Sequence, residues 1–181
     1  LILLVFRLSL GIQVPDIDLK LADWAAIAQI ALAVLALGAL VGAMVQIRAA
    51  RSTSQVAITY NYTERFSEVT RKHLADAYGL LLLGGEAPED RFLAFLDWDP
   101  LKQLDALVVP NLIEEIAGMY NHGLLHRAIA EDFFGVLAAE MWQTGSWFIT
   151  RYRDHADDRD FYCQWEKMLR GIGRAEEAGL P

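Results

Sequence analysis

Between Asp23 and Arg48 the chain carries no charge. The run from Trp24 to Ile47 reads WAAIAQIALAVLALGALVGAMVQI, 24 residues whose only polar side chains, Gln29 and Gln46, sit near its two ends. As an α-helix rising about 1.5 Å per residue it extends roughly 36 Å. The hydrocarbon core of a bilayer is only about 30 Å thick. A helix buried in a soluble core seldom runs this long without a charge, so residues 24–47 are expected to form a single transmembrane helix. Trp24 fits an interfacial position, where an amphipathic ring is favoured.

The flanks predict an orientation. Arg48 and Arg51 follow the span, and no acidic residue appears until Glu64, whereas Asp16, Asp18 and Asp23 precede it with Lys20 the one nearby base. Positive charge is retained on the cytoplasmic side. Residues 1–23 are therefore expected outside, as an extracytoplasmic or interfacial segment, and residues 48–174 are expected as a cytoplasmic helical domain. The stretch from Leu1 to Leu10 is interrupted by Arg7 and is too short to span a bilayer. It reads as a segment lying at the outer surface or against a partner, or as the remnant of a signal peptide. The membrane implied is the inner, cytoplasmic membrane of a bacterium.

Beyond the span the apolar residues recur at helical spacing. Ile58, Tyr62, Phe66 and Val69 predict a helix over about 54–79, continuous with the span because neither Pro nor Gly intervenes between them. Gly84 and Gly85 are expected to close it, since glycine readily adopts the left-handed conformation at a helix end. Pro88 starts a short helix ending near Leu96. Asp99 followed by Pro100 is an N-cap with proline in the first turn, and that helix is expected to end or kink at Pro110. Leu112, Ile113, Ile116, Ala117 and Tyr120 form the next apolar face, closed by Asn121, His122 and Gly123. A long helix is predicted from Leu125 to Tyr152. The acidic DHADD loop follows, in which Asp157 or Asp158 caps a last helix bearing Phe161, Trp165, Met168 and Leu169. Residues 175–181 read as a frayed tail. No segment alternates apolar and polar residues over strand length. The fold class is thus all-α: one transmembrane helix, then an irregular bundle of about five helices.

Composition narrows the functional classes. Sixteen Lys and Arg stand against 24 Asp and Glu, a net charge of −8. Such a chain gains nothing from attraction to a polyanion, so no nucleic-acid partner is expected. One cysteine excludes a disulfide framework and any multi-cysteine metal site. The four histidines are His73, His122, His126 and His155. His122 and His126 have the i, i+4 spacing of metal ligands, but Gly123 interrupts the helix between them, and the Glu of an H-E-x-x-H motif is missing. They read as a capping and a surface histidine. Cys163 would need a histidine and an orienting group to act as a nucleophile, and beside aromatics it reads as a packed residue. Asp154, Asp157, Asp158 and Asp160 lack the ligand spacing and central glycine of a calcium loop. Phe133, Phe134, Trp142, Trp147 and Phe148 could line a pocket, but at helical spacing they read as core. No catalytic, cofactor-binding or metal-binding residue is assigned, and no cofactor or enzymatic activity is expected.

The one pattern that points to a partner lies inside the span. Gly38 and Gly42 make a GxxxG, and Ala31, Leu35 and Ala39 share their side of the helix. Small residues let membrane helices approach closely. Ala31, Leu35, Gly38, Ala39 and Gly42 are the expected partner-binding face.

The stretch NLIEEIAGMYNHGLL, followed by FFGVLAAEMW and RYR between Asn111 and Arg153, resembles a bacterial family of uncharacterised single-pass membrane proteins with a helical cytoplasmic domain. The resemblance implies architecture and no catalytic residues. It agrees with an accessory or structural subunit of a larger membrane complex, whose partners are other membrane subunits and the lipid bilayer. Photosynthetic and respiratory complexes carry small helical subunits of this kind, an analogy at the level of architecture. The alternative is a membrane-anchored regulatory or signalling module with a helical binding domain.

Overall fold

The computed structural model describes residues 21–82 and 87–180, and among them every regular element is helical. Five helices follow in order: α1 (Leu21–Leu81), α2 (Pro88–Leu96), α3 (Pro100–Asn121), α4 (Arg127–Ala156) and α5 (Cys163–Gly171). The chain divides into two units, Leu1–Ala49 and Ala50–Pro181, so the boundary falls within α1. Most of the N-terminal segment and the Gly84–Gly85 stop lie outside the described residues.

α1 joins the apolar run and the segment over 54–79 in one 61-residue helix. With no proline between Leu21 and Leu81, nothing removes a hydrogen bond from its ladder. α2 begins with Pro88 at its first position, after Ala87 in extended conformation. The start of α3 is as its sequence predicts: the Asp99 side chain accepts from the Leu101 amide at 2.9 Å, with Pro100 in the first turn.

Of the end or kink expected at Pro110, the end does not occur. α3 runs through it for 22 residues to Asn121. An interior proline costs about 3 kcal/mol. Against this, Val109, Leu112, Ile113 and Ile116 on either side are all at most 3% exposed, and each such side chain contributes about 1.5–3 kcal/mol by burial. Packing outweighs the missing hydrogen bond, and the proline ring is itself buried.

The ends of α3, α4 and α5 share one device, a left-handed residue. At the end of α3, Gly123 takes φ +65°, its amide reaches Tyr120 O, and the Leu124 amide reaches Met119 O. This is the paired bonding that satisfies terminal carbonyls past a left-handed residue. α5 closes in the same way at Gly173, while α4 ends at Asp157, φ 50°, with the Asp157 and Asp158 amides both donating to Arg153 O. The last two corrections follow from this. α4 continues past Tyr152 to Ala156, and Asp157 terminates it rather than capping α5, whose N-cap is Tyr162. Within the 175–181 tail expected to fray, residues 175–180 close through another such turn at Gly179, and Ala178 is buried.

In the Ala50–Pro181 unit, α3 packs on α5 and α2 on α4. The core gathers Leu80 and Leu81 from α1, Phe92 and Phe95 from α2, Ile113 and Ile116 from α3, and Trp165 and Leu169 from α5 around Phe134, Met141 and Phe148 of α4. The aromatic residues of α4 are thus mainly core. Trp142 meets Trp165 edge-to-face at 5.4 Å, and the Trp165 indole donates to Ala138 O at 3.1 Å. Phe133 alone of the five is exposed, while Trp147 is half-buried and donates to Leu81 O at 3.0 Å.

Candidate functional site

The first candidate surface is the apolar part of α1. Every residue from Trp24 to Ala49 is exposed, and twelve large apolar side chains there stand between 45% (Trp24) and 70% (Leu35) exposed. At about 1.5–3 kcal/mol per side chain, on the order of 20–30 kcal/mol of burial free energy is unrealised within the fold. This helix is long and apolar enough to cross a membrane. Ala31, Leu35, Gly38, Ala39 and Gly42 share one exposed side of it. No atom lies within 4 Å of where a Cβ would stand on Gly38 or Gly42, so the glycines leave room that the fold does not use.

The second is an open cavity of about 740 Å³ in the Ala50–Pro181 unit. Ser52 and Gln55 of α1, Tyr120 and Asn121 at the end of α3, and His126, Arg127 and Glu131 at the start of α4 line it. Its walls are pinned by polar contacts. Gln55 Nε2 donates to Gly123 O at 2.7 Å. The Thr59 hydroxyl, fully buried, accepts from the His126 amide at 2.7 Å and donates to Gln55 O at 2.6 Å. The Tyr120 hydroxyl donates to Glu131 Oε1 at 2.5 Å, and Arg127 Nε donates to the same oxygen at 2.6 Å. Burial, then the bond to Glu131, pushes the Tyr120 phenol up to about 12. Conversely, the Tyr120 hydroxyl and the Arg127 guanidinium hold the Glu131 carboxyl below its ordinary value. All three groups therefore keep their ordinary protonation states near neutral pH. The cluster is suited to shaping and polarising a wall, not to exchanging protons.

The sequence candidates for chemistry disperse in space. His122 is the C-cap of α3, whereas His126 precedes α4 with its Nδ1 buried and without a hydrogen bond. His73 Nδ1 lies 3.6 Å from Asp105 Oδ1, and the His155 ring packs edge-on against Phe92. Cys163 Sγ accepts from Gln164 Nε2 at 3.6 Å, a neighbour rather than a histidine. Asp158 accepts from the Asp160 amide within its own turn. Among the described residues no three His, Cys, Asp or Glu side chains are grouped to hold a metal ion.

Three functional-looking groups escaped the sequence reading: Thr59, the Tyr120–Glu131–Arg127 cluster and Glu114. Glu114, about two thirds of the way along α3, caps α5 from outside, accepting the Gln164 amide at 2.9 Å and the Trp165 amide at 2.7 Å. Burial pushes its carboxyl up, against the downward pull of those amides and of Arg153. Only Arg127 and Glu131, at i, i+4, carried a local signal.

Fold and surfaces together define, among the described residues, an all-α chain with one exposed apolar helical stretch and a helical unit that opens on a polar cavity. Residues 25–172 match the family described as a domain of unknown function, DUF4760, and the chain belongs to that family. The match takes in the apolar part of α1 as well as the helical unit, well beyond Asn111–Arg153. No curated protein and no solved structure matches the chain.

Proposed function

We propose that this protein is a single-pass membrane protein acting as a non-catalytic accessory subunit of a larger membrane complex. On this reading α1 crosses the inner membrane of a bacterium between Trp24 and Ile47, with the N-terminus outside and the residues from Arg48 onward in the cytoplasm. The observation that carries it is the exposed apolar length of α1, in which every residue from Trp24 to Ala49 is exposed. The open space at Gly38 and Gly42 supports a second helix seated on that side, because within lipid close packing, not hydrophobicity, supplies the affinity. An energy-converting complex, photosynthetic or respiratory, is the kind of assembly envisaged.

The test is co-migration after gentle solubilisation. The protein should run inside a large assembly, and Gly38→Leu with Gly42→Leu should release it while leaving membrane insertion intact. A wild-type chain that runs alone refutes the accessory role. Protease shaving of intact cells should spare the Ala50–Pro181 unit, and digestion from outside would invert the topology.

A regulatory or signalling module is the second reading, favoured by the cavity beside Tyr120 and Arg127. A metabolite retained by the purified chain, and lost on blocking that cavity, would decide for it.

A further inference from the structure

The corner between α2 and α3 displays leucines that its own fold does not use. Leu93 is 59% exposed, Leu96 38%, Leu101 71% and Leu104 61%. They are not loose: Phe92 and Phe95 anchor α2 on Phe148, and Gln103 Nε2 donates to Phe95 O, Leu96 O and Trp98 O, tying the end of α2 to α3. Leu101 and Leu104 are three apart on α3, and Leu93 and Leu96 three apart on α2, so each pair shares a helical face.

Charge selects what could cover them. From Pro88 to Asp105 there are five carboxylates and two cations; of the carboxylates, Glu89 pairs with Arg151, Asp99 caps α3 and Asp105 lies 3.6 Å from His73 Nδ1, which leaves Asp90 and Asp97 as the ones directed outward. Both cations are turned onto tryptophans: Lys102 Nζ lies 3.8 Å from the Trp98 ring centre, and the Arg91 guanidinium 5.7 Å from that of Trp147. Asp90 and Asp97 bracket Leu93 at i−3 and i+4 on the outward side of α2, both exposed, and exposed Asp105 follows Leu104. Beside Leu93, Arg151 of α4 is taken up by Glu89, so the surface presented is leucine with an excess of carboxylate.

We propose that this corner docks a basic amphipathic helix of a partner protein, its apolar face on Leu93, Leu96, Leu101 and Leu104 and its Lys or Arg residues against Asp90 and Asp97. Helix-in-groove recognition of this kind reads apolar anchors at i, i+3 and i+4, and opposite charge at the rim fixes partner and orientation. A second copy of this chain would bring the same carboxylates against each other, and an anionic lipid surface would repel them. The inference rests on the accessory-subunit reading for the existence of a partner and goes beyond it by naming the partner's chemistry.

The test uses the full chain in nanodiscs of neutral lipid and a synthetic leucine–lysine amphipathic peptide bearing a photoreactive group on its apolar face, with empty nanodiscs as the background. Cross-links should map to residues 93–104, weaken with added salt, and fail with the leucine–glutamate counterpart. Leu101→Ser with Leu104→Ser should lower the yield about tenfold without lowering the melting temperature, since both side chains are exposed. Asp90→Asn with Asp97→Asn should lower it for the lysine peptide alone. Cross-links elsewhere, equal capture of the glutamate peptide, or an unchanged yield in the serine variant overturns the proposal. So does self-association of the chain that the serine variant abolishes, which would make a second copy the occupant. Failure here leaves co-migration through α1 untouched, so the two readings fall separately.

Discussion

Replacing Thr59 by Val tests how the wall of the cavity is held. The two side chains have the same shape, so the substitution opens no space, and only the hydroxyl is lost. That hydroxyl accepts from the His126 amide at 2.7 Å, and Thr59 is 0% exposed. Gln55 O, the other partner, keeps its place in the α1 ladder, so its loss is minor. The His126 amide has no such reserve. It sits at the start of α4, where amides lack partners within the helix, and the His126 ring already buries an Nδ1 without a hydrogen bond. Leaving a buried donor unpaired costs about 1–3 kcal/mol. For a unit of this size that corresponds to a melting temperature lower by about 4–10 °C. Thermal unfolding followed by tryptophan fluorescence measures the loss. Hydrogen exchange locates it: the His126 amide should lose protection in Thr59→Val and keep it in Thr59→Ser, which retains the hydroxyl. If Thr59→Val melts with the wild type and His126 stays protected, the pin does not hold the wall and the reasoning fails.

Glu114→Ala should destabilise by about 1–3 kcal/mol, because two amides at the start of α5 lose their acceptor. Since the Glu114 carboxyl lies above its ordinary value in the fold, the wild type loses stability as pH rises from that ordinary value through the raised one. The alanine variant should lack this slope in a pH series of melts. At Gly145 a Cβ would stand 2.5 Å from Cδ2 of buried Leu81, so Gly145→Ala forces that side chain to shift, and an overpacking cost of about 1–3 kcal/mol offsets or exceeds the roughly 1 kcal/mol that alanine gains in a helix. In a double-mutant cycle with Leu81→Ala the two losses should be clearly less than additive. Tyr120, pushed up to about 12, contributes stability that is present below pH 10 and lost as pH rises towards that value. Tyr120→Phe should remove one tyrosinate from the late part of an ultraviolet titration and flatten the alkaline loss of stability.

Local chemistry carried much of the architecture. The uncharged run from Trp24 to Ile47, the Asp99–Pro100 cap, the Pro88 start and the Gly123 stop each work within a few residues, through burial, a side-chain acceptor, a fixed φ or a left-handed conformation. Each is legible wherever those residues stand together. Pro110 marks where such reasoning ends. Its effect depended on whether the neighbouring turns were held, and that depended on the core formed by Val109, Ile113 and Ile116 with α4 and α5. The start of α5 is a similar case. Its cap comes from Glu114, 50 residues earlier for Gln164 and 51 for Trp165, while the nearby aspartates serve their own turn or the end of α4. The cavity, too, exists only because Thr59 and Gln55 meet the turn between α3 and α4, 67 and 68 residues away along the chain. Hydrogen bonds between residues so far apart leave no periodicity and no motif, because the tertiary packing alone brings donor and acceptor within reach. The apolar part of α1 stands at the other extreme, where composition and length determine its requirement for an apolar surrounding, and every residue from Trp24 to Ala49 is exposed.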